Sequence, residues 1–267
     1  MSLITQFRDK DFIKGFNHYN GVFEKTGLYF DILLMEENDR IEICEPENEI
    51  AVLIINGAGN IEYNNSTSTF NRNNWIEHDP TVVHLGPNER AIISATTLTK
   101  AAILKTPNSN MFKGMIYTPE DIDTEHRGKD QLDNTCYRLV RLAFDRTIAP
   151  PQSKLVIGEV LNFPGKWSSY PPHHHSQPEI YYYEFSPQWG YGHGELGEDV
   201  YKIRHGDILP ITDNRVHSQT AAPGFHMYYL WSIRHPDENP YDGFTYIKPF
   251  EKRSEERRVG KECRSRW

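Results

Sequence analysis

The sequence predicts an all-β protein that contains two tandem β-barrels of the jelly-roll type. Short runs rich in β-branched and aromatic residues recur along the chain, among them LYFDILLMEE, EIYYYEF and HMYYLWSI. Turn-forming pieces such as PENE, NGAGN and LGPNE separate them, which is typical of β-sandwiches and barrels. No long apolar series repeats at the spacing of an amphipathic helix, so the pattern does not favour a helical protein.

The two halves of the chain follow one rough plan. EIAVLIINGAGNIEY is followed by HDPTVVHLGPNERAIIS in the first half, and EIYYYEFSPQWGYGHG is followed by RHGDILPITDNRVHSQTAA in the second. Each copy reads as a strand, a glycine-containing turn, a second strand and a proline-bearing connection. We therefore expect a first barrel over residues 1–110, a connection over 111–134 and a second barrel over 135–252.

The last fifteen residues, RSEERRVGKECRSRW, differ from everything before them. They carry six Lys or Arg against three Glu and show no apolar periodicity. We interpret residues 253–267 as a basic tail that is disordered or artefactual, and it takes no part in the fold argument.

Composition excludes several classes of protein. The net charge of −8 argues against a nucleic-acid partner. No apolar run approaches the length of a membrane span and the N-terminus lacks the apolar stretch of a signal peptide, so we expect a cytoplasmic protein. Cys44, Cys136 and Cys263 are widely spaced and form no C-x-x-C pair, which makes a disulfide framework or zinc ribbon an unlikely design.

The histidines are concentrated in the second half of the chain. Eight of the twelve lie between residues 173 and 235. At the corresponding place in the first half the chain reads RIEICEPENE, which offers no imidazole. A metal site is therefore expected in the second barrel only, and the first barrel is expected to be degenerate.

The string SSYPPHHHSQPEIYYYEF contains the candidate ligands. His173, His175 and Glu179 are separated by even numbers of residues, so an unbroken strand would place all three on one face and His174 on the other. A turn around Ser176, Gln177 and Pro178 would break that register. A fourth ligand from another strand is His217. Imidazoles with one carboxylate suit a first-row divalent ion such as Zn, Mn or Fe. The alternative is a solvated surface loop that holds no metal.

This pattern resembles the two motifs of the cupin superfamily, in which H-x-H-x3-E is followed by a glycine, G-D-x-x-x-P and a late histidine. More closely, LVIGEVLNFPGKWSSYPPHHH, EIYYYEFSPQ, HGDILPI and MYYLWSI resemble the 5-deoxy-glucuronate isomerase family of inositol catabolism. The resemblance is dense over residues 135–235 and thin in the first half. It implies a bicupin with a single divalent metal held by His173, His175, Glu179 and His217.

The resemblance also implies a reaction, the conversion of 5-deoxy-glucuronate into 5-dehydro-2-deoxy-gluconate through an enediol. Such an isomerase needs a general base near the metal. Glu179, Tyr181, Tyr183 and Tyr229 are the candidates, because Tyr181 and Tyr183 share parity with Glu179 and should line the barrel interior.

The substrate carboxylate also needs a cation, for which Lys166, Arg204 and Arg215 are candidates. A small-molecule sugar acid is thus the expected partner, and exposed barrel edges favour a homo-oligomer.

Three other functions stay open from the sequence. They are the related uronate ketol-isomerase of the 5-keto-4-deoxyuronate type, a cupin oxygenase that needs redox-active iron, and a non-catalytic sugar-binding cupin. The string WSSYPP favours the 5-deoxy-glucuronate isomerase over the first of them.

Overall fold

A computed structural model of the chain describes residues 3–252, and these residues form an almost entirely β structure. The predicted tail at 253–267 lies outside the described residues. Within residues 3–252 there are three short helical elements: the α-helix α1 (Phe23–Thr26) and two 3₁₀ turns at Pro119–Asp121 and Leu132–Asn134. In the part of the chain that the structure describes, no helix is long and apolar enough to cross a membrane.

The strands divide between the two halves. Those of the first half are β1 (Gly15–His18), β2 (Tyr29–Met35), β3 (Arg40–Cys44), β4 (Asn48–Tyr63), β5 (Ser66–Arg72), β6 (Val82–Leu85), β7 (Arg90–Ala95), β8 (Thr99–Pro107) and β9 (Met115–Tyr117). Those of the second half are β10 (Thr124–Arg127), β11 (Arg138–Phe144), β12 (Leu155–Asn162), β13 (Trp167–His174), β14 (Glu179–Ser186), β15 (Tyr191–Leu196), β16 (Asp199–Arg204), β17 (Ile208–Ile211), β18 (His217–Ala221), β19 (His226–Arg234) and β20 (Thr245–Tyr246).

The first barrel is joined into one sheet by the sixteen-residue strand β4. Its first part pairs with β6 and β8, and its second part pairs with β5 and β7. This continuity creates two facing layers, β1-β2-β8-β4-β6-β9 and β3-β7-β4-β5. Aliphatic side chains between the layers, such as Val52, Ile61 and Ile93, form the interior of the barrel.

The second barrel has the same strand plan in two separate sheets. A six-stranded sheet runs β10-β11-β12-β19-β14-β17 and a five-stranded sheet runs β16-β15-β18-β13-β20. The order β12-β19-β14-β17 matches β2-β8-β4-β6 of the first barrel, and β13-β18-β15-β16 matches β3-β7-β4-β5. The predicted all-β fold with two tandem jelly-roll barrels is thereby confirmed.

The two barrels pack together through the outer faces of their larger sheets. Phe30 and Leu53 from the first barrel meet Ile180, Tyr182 and Leu230 from the second in one buried cluster. Tyr181 and Tyr183 point to the interior of the second barrel instead. Strand β14 is thus buried on both faces, with side chains that alternate between the barrel interior and the contact between barrels.

The segment expected to connect the barrels, residues 111–134, contributes a strand to each of them. β9 pairs with β6 in the first barrel, and β10 pairs with β11 in the second. The start of the described chain also crosses over, because Ile4 forms a β-bridge with Ile208 and Arg8 binds the buried carboxylate of Asp207.

Candidate metal centre

The chain crosses between the two sheets of the second barrel at the histidine run. β13 ends at His174 in the five-stranded sheet, and β14 begins at Glu179 in the six-stranded sheet. His175 lies in the loop between them. The turn expected around Ser176, Gln177 and Pro178 is present and breaks the strand register between His174 and Glu179, so the parity relation does not extend across it. These side chains come together because the loop brings two facing sheets close, and strand alternation plays no part.

His173 and His217 lie opposite each other on β13 and β18. Their ring centroids are 4.5 Å apart. The Nδ1 atom of His217 donates to the carbonyl of Arg215 at 3.0 Å, which leaves Nε2 with its lone pair. That Nε2 is buried and has no hydrogen-bond partner among the described residues. A histidine held through Nδ1 with an unshared Nε2 has the arrangement found in metal sites.

Three side chains form a group that could hold a metal ion. One ligand atom each from His175, Glu179 and His217 lies within 4.8 Å of the others. The Oε2 atom of Glu179 is 3.0 Å from Nε2 of His175 and 3.5 Å from Nε2 of His217. All three residues are buried, and over residues 3–252 no second group of this kind is found.

Two of the histidines, His173 and His217, are in the neutral form that metal binding needs, and the third, His175, is hydrogen-bonded to a carboxylate. Burial lowers the pKa of His217 to about 3, and burial likewise lowers the pKa of His173 to about 3. For His175, burial lowers the pKa, but the hydrogen bond to Glu179 and the negative charge of that carboxylate together outweigh it, so its pKa lies above the ordinary value. His173 and His217 are therefore neutral imidazoles at neutral pH.

His173 and His174 differ in position. His173 lies outside the three-residue group; its ring packs against that of Phe244 at 4.2 Å between centroids, and its Nδ1 bonds the carbonyl of Pro171 at 3.2 Å. His174 turns away and its Nδ1 bonds Asn214 at 2.7 Å. The residues present fit a divalent metal, with an oxygen donor and imidazole nitrogen donors around one point.

A cavity opens beside this group, and two of the candidate catalytic tyrosines line it. Tyr181 and Tyr229 are on its wall together with His173, His175 and Glu179. The remaining lining residues are Arg127, Arg138, Val140, Val160, Ser169, Tyr170, Trp231, Ile233, Tyr241, Phe244 and Tyr246. Tyr183 is buried deeper and is not among the lining residues.

The tyrosine hydroxyls are joined to the two serines of WSSYPP. Ser168 Oγ and Tyr229 OH are 2.6 Å apart, and Ser169 Oγ lies 3.3 Å from Tyr181 OH. Tyr183 OH donates to Gln219 at 2.6 Å, and Gln219 donates in turn to Ser169 at 3.3 Å. The two serines, the tyrosines and Gln219 thus form one buried network of hydrogen bonds beside the cavity.

The conformation of Ser169 makes this network possible. Its φ of 51° lies in the left-handed region, which residues other than glycine rarely adopt. It falls where the pairing of β13 with β18 shifts register between Ser168 and His173. The irregularity turns the side chains of two consecutive serines toward the same tyrosines, which a regular strand would point to opposite faces.

The cations beside the cavity are not those expected from the sequence. Lys166, Arg204 and Arg215 line no part of it; Arg204 pairs with Asp9 at 3.1 Å and Arg215 with Asp199 at 2.7 Å. Arg127 and Arg138 line it instead. The position of Arg138 could have been predicted from the string CYRLVRLAF. Arg138 is two residues from Val140, an interior residue, so both side chains point to the same face of the strand.

Residues after the last long strand close one side of the cavity. Tyr241, Phe244 and Tyr246 contribute three aromatic rings to its wall. Strand β20 pairs Tyr246 with His173, and Gln177 holds the segment by donating to Asn239 at 3.0 Å. This cover could not be predicted from the sequence, because the segment has no strand-like periodicity.

Comparison with known proteins gives relatives in sequence over part of the chain. The protein is 25% identical over 170 residues to a 5-deoxy-glucuronate isomerase of Geobacillus kaustophilus, which covers 57% of this chain and 58% of the relative. It is 29% identical over 214 residues to a 5-deoxy-glucuronate isomerase of Bacillus subtilis, covering 73% and 74%. The match thus spans less than two thirds of the Geobacillus relative.

Solved structures show the same fold. An IolB-like protein from Salmonella typhimurium superposes with a TM-score of 0.80 at 19% identity, covering 91% of this chain and 97% of that one. An oxalate decarboxylase from Lactobacillus farciminis superposes with a TM-score of 0.64 at 9% identity, covering 89% and 85%. At these identities the likeness concerns the fold alone.

The match to a family model covers nearly the whole described chain. The model of the KduI/IolB family matches residues 11–247, which include both barrels and every residue of the candidate metal centre. The chain therefore belongs to the KduI/IolB family.

Proposed function

We propose that this protein is a metal-dependent aldose–ketose isomerase that converts 5-deoxy-glucuronate into 5-dehydro-2-deoxy-gluconate in myo-inositol catabolism. The observation that carries the proposal is the buried group of His175, Glu179 and His217, of which His175 and Glu179 line a cavity that two arginines also line. The names of the curated relatives, 25–29% identical over part of the chain, support the same substrate. The cytoplasmic location and a homo-oligomeric state stay predictions.

The metal we propose is one divalent ion, Zn, Mn or Fe, held by His173, His175, Glu179 and His217. The unshared Nε2 of His217 and its distance of 3.5 Å from Glu179 support this assignment. His173 joins the set by a change of its ring orientation, since its ring already adjoins that of His217. When bound, such an ion polarises a substrate carbonyl and favours an enediol.

The isomerisation moves one proton from the carbon next to the aldehyde to the aldehyde carbon, and a second proton from the neighbouring hydroxyl to the aldehyde oxygen. Burial raises the pKa of Tyr181 well above its ordinary value, so its hydroxyl stays protonated and donates a hydrogen bond to a substrate oxygen. Tyr229 lines the cavity and bonds Ser168, and we assign it the transfer of the oxygen-bound proton. Glu179 is the one carboxylate on the described cavity wall and stays the candidate for the carbon-bound proton.

Tyr183 has a different role in this proposal. Burial raises its pKa as well, and its hydroxyl is committed to Gln219 at 2.6 Å. Through Gln219 it orients Ser169, which in turn contacts Tyr181. We therefore assign Tyr183 to the positioning of the hydroxyl network, away from the reacting atoms.

The two barrels have different roles in this proposal. Residues 135–252 supply the proposed metal ligands, and residues 1–110 form a degenerate cupin barrel that supports them. Where Glu179 pairs with Ile211 in the second barrel, the matching strands of the first barrel pair Ile50 with Leu85. An isoleucine side chain offers no ligand atom, which supports a structural role for the first barrel.

The test is proton NMR of 5-deoxy-glucuronate incubated with the purified protein, before and after chelation. We expect the aldehyde-hydrate signal to disappear and the keto acid to appear, with the conversion blocked by chelator and restored by a divalent ion. No conversion with metal demonstrably bound would reject the substrate. The same assay with 5-keto-4-deoxyuronate tests the related isomerase, and oxygen uptake tests an oxygenase.

A further inference from the structure

Two arginines face each other at the cavity wall. Arg127 on β10 and Arg138 on β11 are direct partners in the antiparallel register. Both line the cavity that contains His175 and Glu179. Like charges directly opposite each other in a sheet repel, and an anion held between them lowers that repulsion. This pair is therefore a place where a negatively charged group of a ligand would be favoured.

Each guanidinium is fixed by the protein. The carboxylate of Glu125 accepts hydrogen bonds from Nε of Arg127 at 3.1 Å and from Nη2 at 2.6 Å. It therefore binds one edge of the guanidinium and makes no hydrogen bond to Nη1. Arg138 is 5% exposed and donates to the carbonyls of Cys136 at 2.8 Å and Tyr170 at 3.3 Å. A fixed planar guanidinium binds carboxylate with little loss of side-chain entropy.

The surroundings of the pair fit one end of a sugar acid. Tyr170 and Tyr246 line the same cavity and present aromatic surface for the carbon chain. Glu179, which is proposed to bind the metal, is the one carboxylate on the described wall. The cavity therefore has a polar group for a carbonyl and hydroxyls, and a separate cationic pair for a carboxylate.

We propose that Arg127 and Arg138 form the subsite that binds the carboxylate of the sugar-acid substrate and directs its aldehyde end toward His175, Glu179 and His217. This inference rests on the proposed function for the identity of the sugar. In this proposal the arginine pair makes the protein bind a sugar acid more tightly than the neutral sugar that has a hydroxymethyl group in place of the carboxylate.

The test compares two ligands with the metal-loaded protein and its variants. The ligands are 5-deoxy-glucuronate and 5-deoxyglucose, which differ in carboxylate against hydroxymethyl. For Arg127→Gln we expect the apparent Kd of the acid, measured by calorimetric titration, to rise about 10- to 100-fold, as for the loss of a hydrogen bond to a charged group. The apparent Kd of the neutral sugar should stay within about twofold, and the metal content should not change.

Two further variants keep the result interpretable. Arg204→Gln is the matched control, because Arg204 pairs with Asp9 on the surface and does not line this cavity. We expect it to bind both ligands as the wild type does. Arg138→Gln should show the same selective loss as Arg127→Gln, and its thermal unfolding shows whether this buried position still folds.

The outcomes separate this proposal from the proposed function. Equal affinity of wild type and Arg127→Gln for the acid would overturn the subsite, as would an equal loss for acid and neutral sugar. If the acid binds through Arg127 but NMR shows no conversion, the subsite stands and the isomerase proposal fails. If conversion occurs and the acid is not preferred over the neutral sugar, the isomerase stands and the subsite fails.

Discussion

The Nε2 atom of His217 lies 3.5 Å from the Oε2 atom of Glu179, although the two residues belong to opposite sheets of the second barrel. His217 begins β18 and Glu179 begins β14. The same Oε2 atom is 3.0 Å from His175 in the loop that joins the sheets. The candidate metal centre is thus a point where two sheets and a loop meet, so each residue depends on the packing of the barrel around it.

Removal of a proposed ligand should remove the metal and the activity together. For His175→Ala and for His217→Ala we expect the metal affinity to fall by more than about 100-fold, beyond the effect of removing a group that only orients a ligand. Turnover should be lost in both. Metal content measured by mass spectrometry after gel filtration, with the NMR assay, checks this.

The neighbouring histidine supplies the control for these variants. His174 turns toward Asn214, so His174→Ala should retain metal and turnover. Full activity with metal bound in His175→Ala would contradict the ligand assignment.

Loss of the Tyr229 hydroxyl should slow the reaction and spare the metal. In Tyr229→Phe we expect kcat to fall by about 10²- to 10⁴-fold, the usual contribution of a positioned acid or base. Tyr183→Phe is the comparison, because Tyr183 lies behind the cavity wall and bonds Gln219. An equal effect of the two substitutions on kcat would mean that the hydroxyl network acts as a whole and would argue against proton transfer by Tyr229.

The all-β fold and the repeated plan follow from the sequence because both depend on local patterns. Alternation in EIYYYEF places Tyr181 and Tyr183 inside the barrel and Tyr182 on the contact with the other barrel, as the structure shows. Such a pattern is a property of a few consecutive residues. It needs no information on what lies opposite the strand.

The geometry of the site could not be predicted in the same way. The turn at Ser176, Gln177 and Pro178 carries the chain from one sheet to the other, and strand parity does not describe such a crossing. Arg127 reaches the cavity because β10 pairs with β11, and that pairing follows from the tertiary fold. The cations proposed from the sequence were wrong for this reason, since charge alone does not tell which face of the molecule a side chain occupies.

The buried ion pair between the barrels should matter for stability. Arg72 on β5 and Glu159 on β12 are 2% and 1% exposed at their side chains, and Tyr228 donates to the same carboxylate at 3.0 Å. Arg72→Met leaves this carboxylate without one of its cations. We expect the free energy of unfolding in urea to fall by about 3–5 kcal/mol.

An exposed arginine provides the matched control. Arg40 pairs with Glu62 at 3.1 Å, and both side chains are about half exposed. Arg40→Met should cost less than about 1 kcal/mol. A similar effect of Arg72→Met and Arg40→Met would show that the contact between the barrels does not depend on this ion pair.

A second buried carboxylate makes stability depend on pH. Burial disfavours the charged form of Glu184, but the ammonium of Lys100 at 2.6 Å, the nearby imidazole of His205 and the hydroxyl of Tyr182 at 2.8 Å together outweigh it, and the pKa of Glu184 lies below the ordinary value. A carboxyl whose pKa is lower in the folded than in the unfolded state stabilises the folded protein at pH values above the ordinary pKa of the carboxyl. That stability is lost as pH falls through the lowered value.

Removal of the cation should reverse this shift. In Lys100→Met the pKa of Glu184 should rise, because burial then acts without the largest of the charges that oppose it. We expect the variant to be less stable than the wild type by about 3 kcal/mol at pH 7. The difference should narrow as pH falls toward 5, since the variant then takes up a proton at Glu184. Urea unfolding at several pH values measures this difference.

The exposed Lys14, which pairs with Glu36 at 2.9 Å and Asp39 at 2.8 Å, gives the control. Lys14→Met should change stability little at any of these pH values, because solvent screens an exposed pair. A difference between wild type and Lys100→Met that stays constant from pH 7 to 5 would show that Glu184 does not titrate in the variant. In that case Glu184 stays ionised without its cation, and the expected proton uptake in the variant is wrong.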